Sequence, residues 1–335
     1  MKRTLAIGLI GAGRIGRIRA EHLAYRISGA ALATVADVSL DAARACAAAC
    51  RVPTAVGDYR AILADPAIDA VVICAATDTH AAIIADAAAA GKHIFCEKPI
   101  ALTLDETDRA LAAVGRAGVG LQIGFNRRFD ANYRRVRQAV ERGEIGRPET
   151  LRIVSRDPSP PPLDYLAHSG GLFLDMTIHD FDMARFLIGS EITELYVAAG
   201  VLVDPAIGAA GDLDTAVIVL TFANGTIGTI ENSRRAVYGY DQRVEVFGSG
   251  GAIRTDNDYP NTAIVSTGEG VRRDLPRHFF LERYAESYRA ELQAFVDAIL
   301  DERPPPVSGA DGRIAVVLGL AARQSHDEHR PVRPA

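Results

Sequence analysis

Cysteine is scarce in this sequence, with four residues, Cys46, Cys50, Cys74 and Cys96, among 335. That is too few for a disulfide framework, and no Cys-x-x-Cys pair is present to suggest zinc. Cys46 and Cys50 lie four apart in an alanine-rich stretch and read as reduced, partly buried thiols. No metal site is expected. Positive charge is not in excess either: 37 lysines and arginines face 42 aspartates and glutamates, a net charge of -5. A chain with no basic stripe is a poor partner for nucleic acid. No uninterrupted apolar run approaches the roughly 18 residues of a membrane span, so no membrane partner is expected. Tryptophan is missing altogether, which excludes no class.

What is present has the balance of an ordinary globular protein, 24% charged and 48% apolar. The length predicts about two domains. Met1-Lys2-Arg3 and the apolar residues after it imitate a secretory signal. Gly8, Gly11 and Gly13 interrupt the run, however, and Arg14 and Arg17 follow at once. Together with the cysteine usage, this predicts a cytoplasmic protein.

Through residue 124, apolar runs alternate with helical spacing. Strands are expected at 4–10, 31–36, 70–75, 93–96 and 120–124, with a short one at 54–56, and helices at 15–28, 40–50, 80–90 and 104–116, with a short one at 59–64. Near-continuous apolar strands separated by helices predict an α/β domain, a doubly wound parallel sheet of Rossmann type covered on both faces. The rhythm then changes. After a helix at 131–142 come strands at 149–156, 192–203, 215–222, 226–232, 243–247 and 252–255, with Asn224-Gly225 as a turn signal. Short turns between strands predict a mostly antiparallel sheet in an α+β domain. Residues 1–124 are thus expected to form one domain and 125–307 a second. A last helix, about 308–325 after Pro304-Pro305-Pro306, is expected to pack back on the first.

Gly11-Ala12-Gly13-Arg14-Ile15-Gly16 is a G-x-G-x-x-G sequence that follows the first strand and opens a helix. Asp37 closes the second strand at the spacing of a dinucleotide fingerprint. The first glycine permits a tight turn, the second a close approach of backbone to pyrophosphate, and the third close helix–strand packing. Arg17 and Ile18 stand where a Walker loop needs Lys and Ser/Thr, which excludes that motif. Asp37 accepts hydrogen bonds from a free ribose hydroxyl and repels a phosphate, so NAD is expected rather than NADP.

Lys98, in Glu97-Lys98-Pro99, follows an apolar strand and so stands at the carboxyl edge where parallel sheets bind ligands. Asp175 and His179 are four apart, a spacing that puts both on one face of a helix, where a carboxylate orients an imidazole and favours its protonated form. Asp182 continues that face.

These segments, with Ala76-Thr77-Asp78-Thr79-His80 and Gly124-Phe125-Asn126-Arg127-Arg128-Phe129-Asp130, follow one another in the order found in the Gfo/Idh/MocA oxidoreductases. The chain resembles that family over nearly its whole length. The stretches Ser155-Arg156-Asp157-Pro158, Met176 to Asp182 and Tyr238-Gly239-Tyr240-Asp241-Gln242-Arg243 resemble its inositol-oxidising branch. The resemblance implies a Rossmann domain, an open-faced sheet domain that commonly packs into homotetramers, and a catalytic set of Lys98, Asp175 and His179. By the same carry-over, Gly11, Gly13, Arg14, Ile15, Gly16 and Asp37 hold NAD, and Thr77, His80, Glu97, Lys98 and Asn126 neighbour its nicotinamide half. Arg127, Asp157 and Tyr238, with Lys98, Asp175 and His179, are implied to contact substrate. Some members of the branch have His-x-Asn where this chain has Ser155-x-Asp157.

The expected activity is therefore NAD-dependent oxidation of a secondary hydroxyl of a cyclic polyol, myo-inositol to its 2-ketone, with His179 as base. Other polyols or aldopyranoses, such as scyllo-inositol or glucose, present similar rings of hydroxyls. A non-catalytic NAD sensor would not need Lys98, Asp175 and His179 together. A zinc dehydrogenase built on His168, Asp175 and His179 lacks cysteine ligands. A hydrolase lacks its nucleophile elbow, since Phe247-Gly248-Ser249-Gly250-Gly251 has the wrong spacing.

Overall fold

The computed structural model describes residues 3–334, so the Met1-Lys2 start of the signal-like segment lies outside the described residues. Six short apolar runs build the first sheet: β1 (Leu5–Ile10), β2 (Ala30–Ala36), β3 (Thr54–Val56), β4 (Ala70–Ile73), β5 (His93–Glu97) and β6 (Leu121–Gly124). All are parallel, in the order β3-β2-β1-β4-β5-β6. Parallel neighbours need crossovers, which helices such as Arg14–Tyr25, Leu40–Ala49, His80–Ala89 and Leu104–Ala117 provide. Every residue of β4 is buried, as a strand covered on both faces must be. Chain direction across the sheet reverses between β1 and β4, the switch point where such sheets bind ligands.

The second sheet contains β7 (Pro148–Arg156), β8 (Ile192–Gly200), β9 (Thr215–Phe222), β10 (Ile227–Ser233), β11 (Asp241–Gly248) and β12 (Gly251–Arg254), in the order β12-β11-β7-β10-β9-β8. Its pairs are antiparallel except β7 with β10, which run parallel with Ile153 opposite Ile230. The chain leaves β7 for a run of helices ending at Ile188, and so returns to β7's side only after β8 and β9 are laid down. Burial alternates strictly along β9, from buried Ala216 to buried Phe222, so one face is core and the other is open. The open face carries Tyr196, Val217, Val219, Ile227 and Phe247, all exposed. A separate hairpin, β13 (Ile264–Thr267) with β14 (Gly270–Arg273), was not expected from the sequence.

Two compact units result, Met1–Asn126 with Tyr288–Val316, and Arg127–Ser287 with Val317–Ala335. Most of helix Ala285–Leu300, expected in the second domain, therefore belongs to the first unit. Leu292, Phe295 and Val296 enter that unit's core, with Phe295 edge-on to Phe95 at 5.8 Å. The final helix, Gly309–Glu328, is divided at Val316 and does not belong wholly to the first unit as expected. Small residues explain both attachments: a Cβ on Gly312 would lie 2.6 Å from Ile100, and one on Gly319 2.5 Å from Leu174.

Candidate active site

In the first unit, the loop between β1 and helix Arg14–Tyr25 is shaped by three glycines with three different jobs. Gly11 has φ +98°, and a Cβ there would meet the Cys74 carbonyl at 2.5 Å. Gly16 packs so close that a Cβ would fall 1.9 Å from the Gly11 carbonyl oxygen. Gly13 is the opposite case, with nothing within 4 Å of its missing Cβ. It is the helix N-cap and supplies no side-chain bond, the condition in which first-turn amides and the helix dipole serve an anion. Asp37 stands beside this loop at the end of β2. Its Oδ2 accepts the Ala12 N–H at 2.7 Å and its Oδ1 the Ser39 N–H at 2.8 Å. A carboxylate has about four acceptor positions, so capacity is left for a ribose hydroxyl. These residues fit a dinucleotide.

Lys98 directly follows β5, and the Lys98–Pro99 peptide is cis. His80, at the start of the helix after β4, is buried with Nδ1 2.8 Å from the Pro99 carbonyl and Nε2 3.1 Å from that of Ala75. Burial lowers its pKa, although both carbonyls favour a proton. Glu97, expected beside the nicotinamide, accepts two bonds from Arg19, at 2.9 and 2.7 Å. Thr77 opens the 3₁₀ turn at the end of β4. Asn126 is buried, and its Nδ2 has no hydrogen-bond partner among the described residues, the state of a donor reserved for a ligand.

The second unit gathers charge. Asp175 ends the helix Gly171–Asp175, and His179 lies in the first turn of the next, Thr177–Ile188. The single helix expected across both residues is thus interrupted at Met176, whose N–H still bonds the Leu172 carbonyl at 3.0 Å. Both side chains are partly exposed. Asp175 is steered by two partners: the Tyr165 hydroxyl donates to its Oδ1 at 2.9 Å, and Arg234 lies 3.5 Å from its Oδ2. Desolvation pushes the Asp157 carboxyl up to about 6; Arg234 and Arg127 oppose this, and Asp175 and Asp180 reinforce it. Below them is a buried polar floor. Asp180 accepts from Arg127 at 2.5 Å and from Asn232 at 2.8 Å, Thr177 donates to Asn232 at 2.6 Å, and Arg127 reaches the Tyr240 hydroxyl at 3.4 Å. Burial raises the Asp180 pKa against the pull of Arg127 and Asn232.

Arg127, Asp157 and Asp175 are therefore brought together, but Tyr238 is not. Its hydroxyl donates to Asp241 at 2.6 Å and accepts from Arg156 at 2.8 Å, a group that also includes Glu231. Arg156 and Asp157 are successive residues of an extended chain, so their side chains leave on opposite faces. The tyrosine that meets Arg127 is Tyr240, two residues on. Asp182 also turns away from the cluster, its carboxylate bonded to Arg128 at 2.6 to 3.1 Å. Sequence reasoning missed Arg234 and Asn232, which lie in no recognised stretch, and within Tyr238-Gly239-Tyr240 it chose the first tyrosine over the second. Among the described residues, no group of three or more His, Cys, Asp or Glu is placed to hold a metal ion, and no helix is long and apolar enough to cross a membrane.

Residues 5–125 match the model of an oxidoreductase family with an NAD-binding Rossmann fold, and residues 133–254 match a GFO/IDH/MocA C-terminal domain. A myo-inositol 2-dehydrogenase of Thermotoga maritima is 50% identical over 98% of both chains. An inositol 2-dehydrogenase of Rhizobium meliloti is 47% identical over 98% of this chain and 99% of its own. The crystal structure of scyllo-inositol dehydrogenase from Lactobacillus casei, with bound NAD(H) and scyllo-inositol, superposes with a TM-score of 0.92 at 31% identity, covering 99% of each chain.

Proposed function

Because this chain belongs to the Gfo/Idh/MocA family of NAD-dependent oxidoreductases, we propose that its reaction is the oxidation of myo-inositol at the 2-hydroxyl. The observation that supports the substrate class is the cluster in the second unit. Asp157 and Asp175 offer acceptors to a ring of hydroxyls, and Arg127 and Arg234 balance their charge, which suits a neutral substrate.

NAD is held by the amides of Gly13, Arg14 and Ile15, with Gly11 and Gly16 shaping the loop and Asp37 on the ribose. Thr77, His80, Glu97 and Asn126 line or brace its far half. When bound, NAD supplies the hydride acceptor. His179 removes the hydroxyl proton, the general-base role to which an imidazole is suited. Asp175, itself held by Tyr165 and Arg234, fixes the imidazole and stabilises its cation. Lys98 donates to the reacting oxygen and stabilises the negative charge that develops there. Asp157 accepts from a neighbouring hydroxyl, and Arg127 acts from beneath through Asp180.

The exposed apolar residues of the second sheet's open face support a homotetramer assembled through that face. Four free thiols and a nicotinamide cofactor support a cytoplasmic location.

The test follows NADH formation with myo-, scyllo- and chiro-inositol and with aldohexoses, in NAD and in NADP. We expect the highest kcat/KM with myo-inositol and NAD, and a loss of about 10²- to 10⁴-fold in kcat for His179→Ala with NAD affinity kept. Preference for an aldose would overturn the substrate reading, and near wild-type turnover of His179→Ala would overturn the base.

A further inference from the structure

The proposed reaction leaves one fully buried cation of the first unit without a role. Arg19 lies in helix Arg14–Tyr25, one turn beyond the glycine loop, and is 0% exposed. Its Nε and Nη2 donate to Glu97 Oε1, Nη2 also to Glu291 Oε2 at 2.5 Å, and Nη1 to the Tyr288 carbonyl at 2.9 Å. The guanidinium lies over two rings, 4.5 Å from the centre of Phe95 and 4.9 Å from that of Tyr288. The two carboxylates raise its pKa despite burial, so it is always charged.

Such a triad is a poor investment in stability alone, because apolar side chains of similar volume generally serve as well or better. Its location suggests another use. Glu97 is the last residue of β5, and Lys98 comes next. On the other side of Lys98, the Pro99 carbonyl is gripped by buried His80 at 2.8 Å. Lys98 is therefore pinned at both neighbours, at one of them by the helix that begins at the glycine loop.

We propose that Arg19 is a positioning residue for the reaction, holding the Glu97 end of the Glu97-Lys98-Pro99 segment so that the lysine ammonium meets the reacting oxygen. It rests on the reading that Lys98 contacts that oxygen. The residue touches neither substrate nor cofactor. Its effect is geometric, and a misplacement of about 1 Å in a catalytic group is enough to cost about 10²-fold in rate. Lysine cannot replace it, because a point charge lacks the planar fork that reaches both carboxylates and a carbonyl at once.

The test compares the wild type with Arg19→Lys and with Arg19→Met/Glu291→Gln. It measures Tm, NAD affinity by calorimetry, affinity of myo-inositol for the NADH complex, kcat, and the deuterium isotope effect on kcat with substrate labelled at the oxidised carbon. In Arg19→Lys we expect NAD affinity within about 3-fold of wild type, weaker polyol binding to the NADH complex, kcat down about 10- to 100-fold, and a larger isotope effect as hydride transfer becomes limiting. The double variant is expected to lose as much in kcat. Wild-type kcat and isotope effect in folded Arg19→Lys would overturn the proposal, and so would a loss confined to NAD binding, which would assign the residue to the cradle. Should the double variant not fold, Arg19→Lys alone decides. A wild type that oxidises no cyclic polyol would instead overturn the proposed function, and that outcome is visible before any variant is made.

Discussion

At Asp157 the loss of water, set against two guanidinium groups, leaves a carboxyl that titrates near 6 instead of near 4. A raised carboxyl pKa means that the fold favours the protonated form. That contribution to stability is complete below about pH 4 and is lost as pH rises through about 6. Asp157→Asn, which never ionises, should therefore raise Tm by a few °C relative to wild type at about pH 8 and by little at about pH 4. An equal difference at both pH values in thermal melts would show that the group is not raised. The same ionisation should lower KM for the polyol between about pH 5 and pH 7 in the wild type but not in the variant. Asp157, Asp175 and His179 were legible in the sequence because they sit in recognisable stretches. Arg234, which faces Asp175 and Asp212, was not, since an arginine pair after β10 does not show which of the two turns inward.

At the scale of elements, the strand–glycine loop–helix unit was the most legible part of the chain, because its chemistry is local. Its three glycines nevertheless differ, and only contacts separate them. Gly16→Ala would drive a methyl group into the Gly11 carbonyl and should lower Tm by several °C. Gly13→Val meets open space, so Tm should stay within about 2 °C while NAD affinity falls at least about 10-fold, measured by calorimetry. Equal effects of both substitutions on Tm would refute the distinction. The break at Met176 and the parallel pairing of β7 with β10 could not be read in advance. The first is one residue's departure from regular geometry inside a segment that is helical on either side, and the second depends on where the chain returns after about 70 residues.

For the whole molecule, the open face of the second sheet is the largest consequence of strand alternation. Val217, Val219 and Ile227 are exposed on adjacent strands β9 and β10, the apolar patch on which the proposed tetramer rests. If the proposed tetramer forms through this face, Val219→Lys with Ile227→Lys should lower the mass measured by light scattering below that of the wild type while secondary structure is kept. A wild type that runs as a monomer, or a double variant of unchanged mass, would remove the tetramer. Domain membership shows the same dependence on the whole. Helix Ala285–Leu300 follows the second sheet in sequence, yet Phe295 lands on Phe95 of β5, and that partner lies 200 residues away.

By itself the sequence determined the parallel sheet, the mostly antiparallel sheet and the dinucleotide loop, and it pointed to Lys98, Asp175 and His179 as the proposed catalytic set. Each is encoded within a few tens of residues, in the period of apolar side chains or the spacing of a turn. Only the tertiary structure decided that Glu97 is held by Arg19, which Glu291 also holds, that Tyr240 rather than Tyr238 meets Arg127, and that Arg234 faces Asp175. Those pairings join distant parts of the chain through buried charge. A buried ion needs a partner of opposite sign in a fixed place, and that place exists only once the surrounding elements have packed.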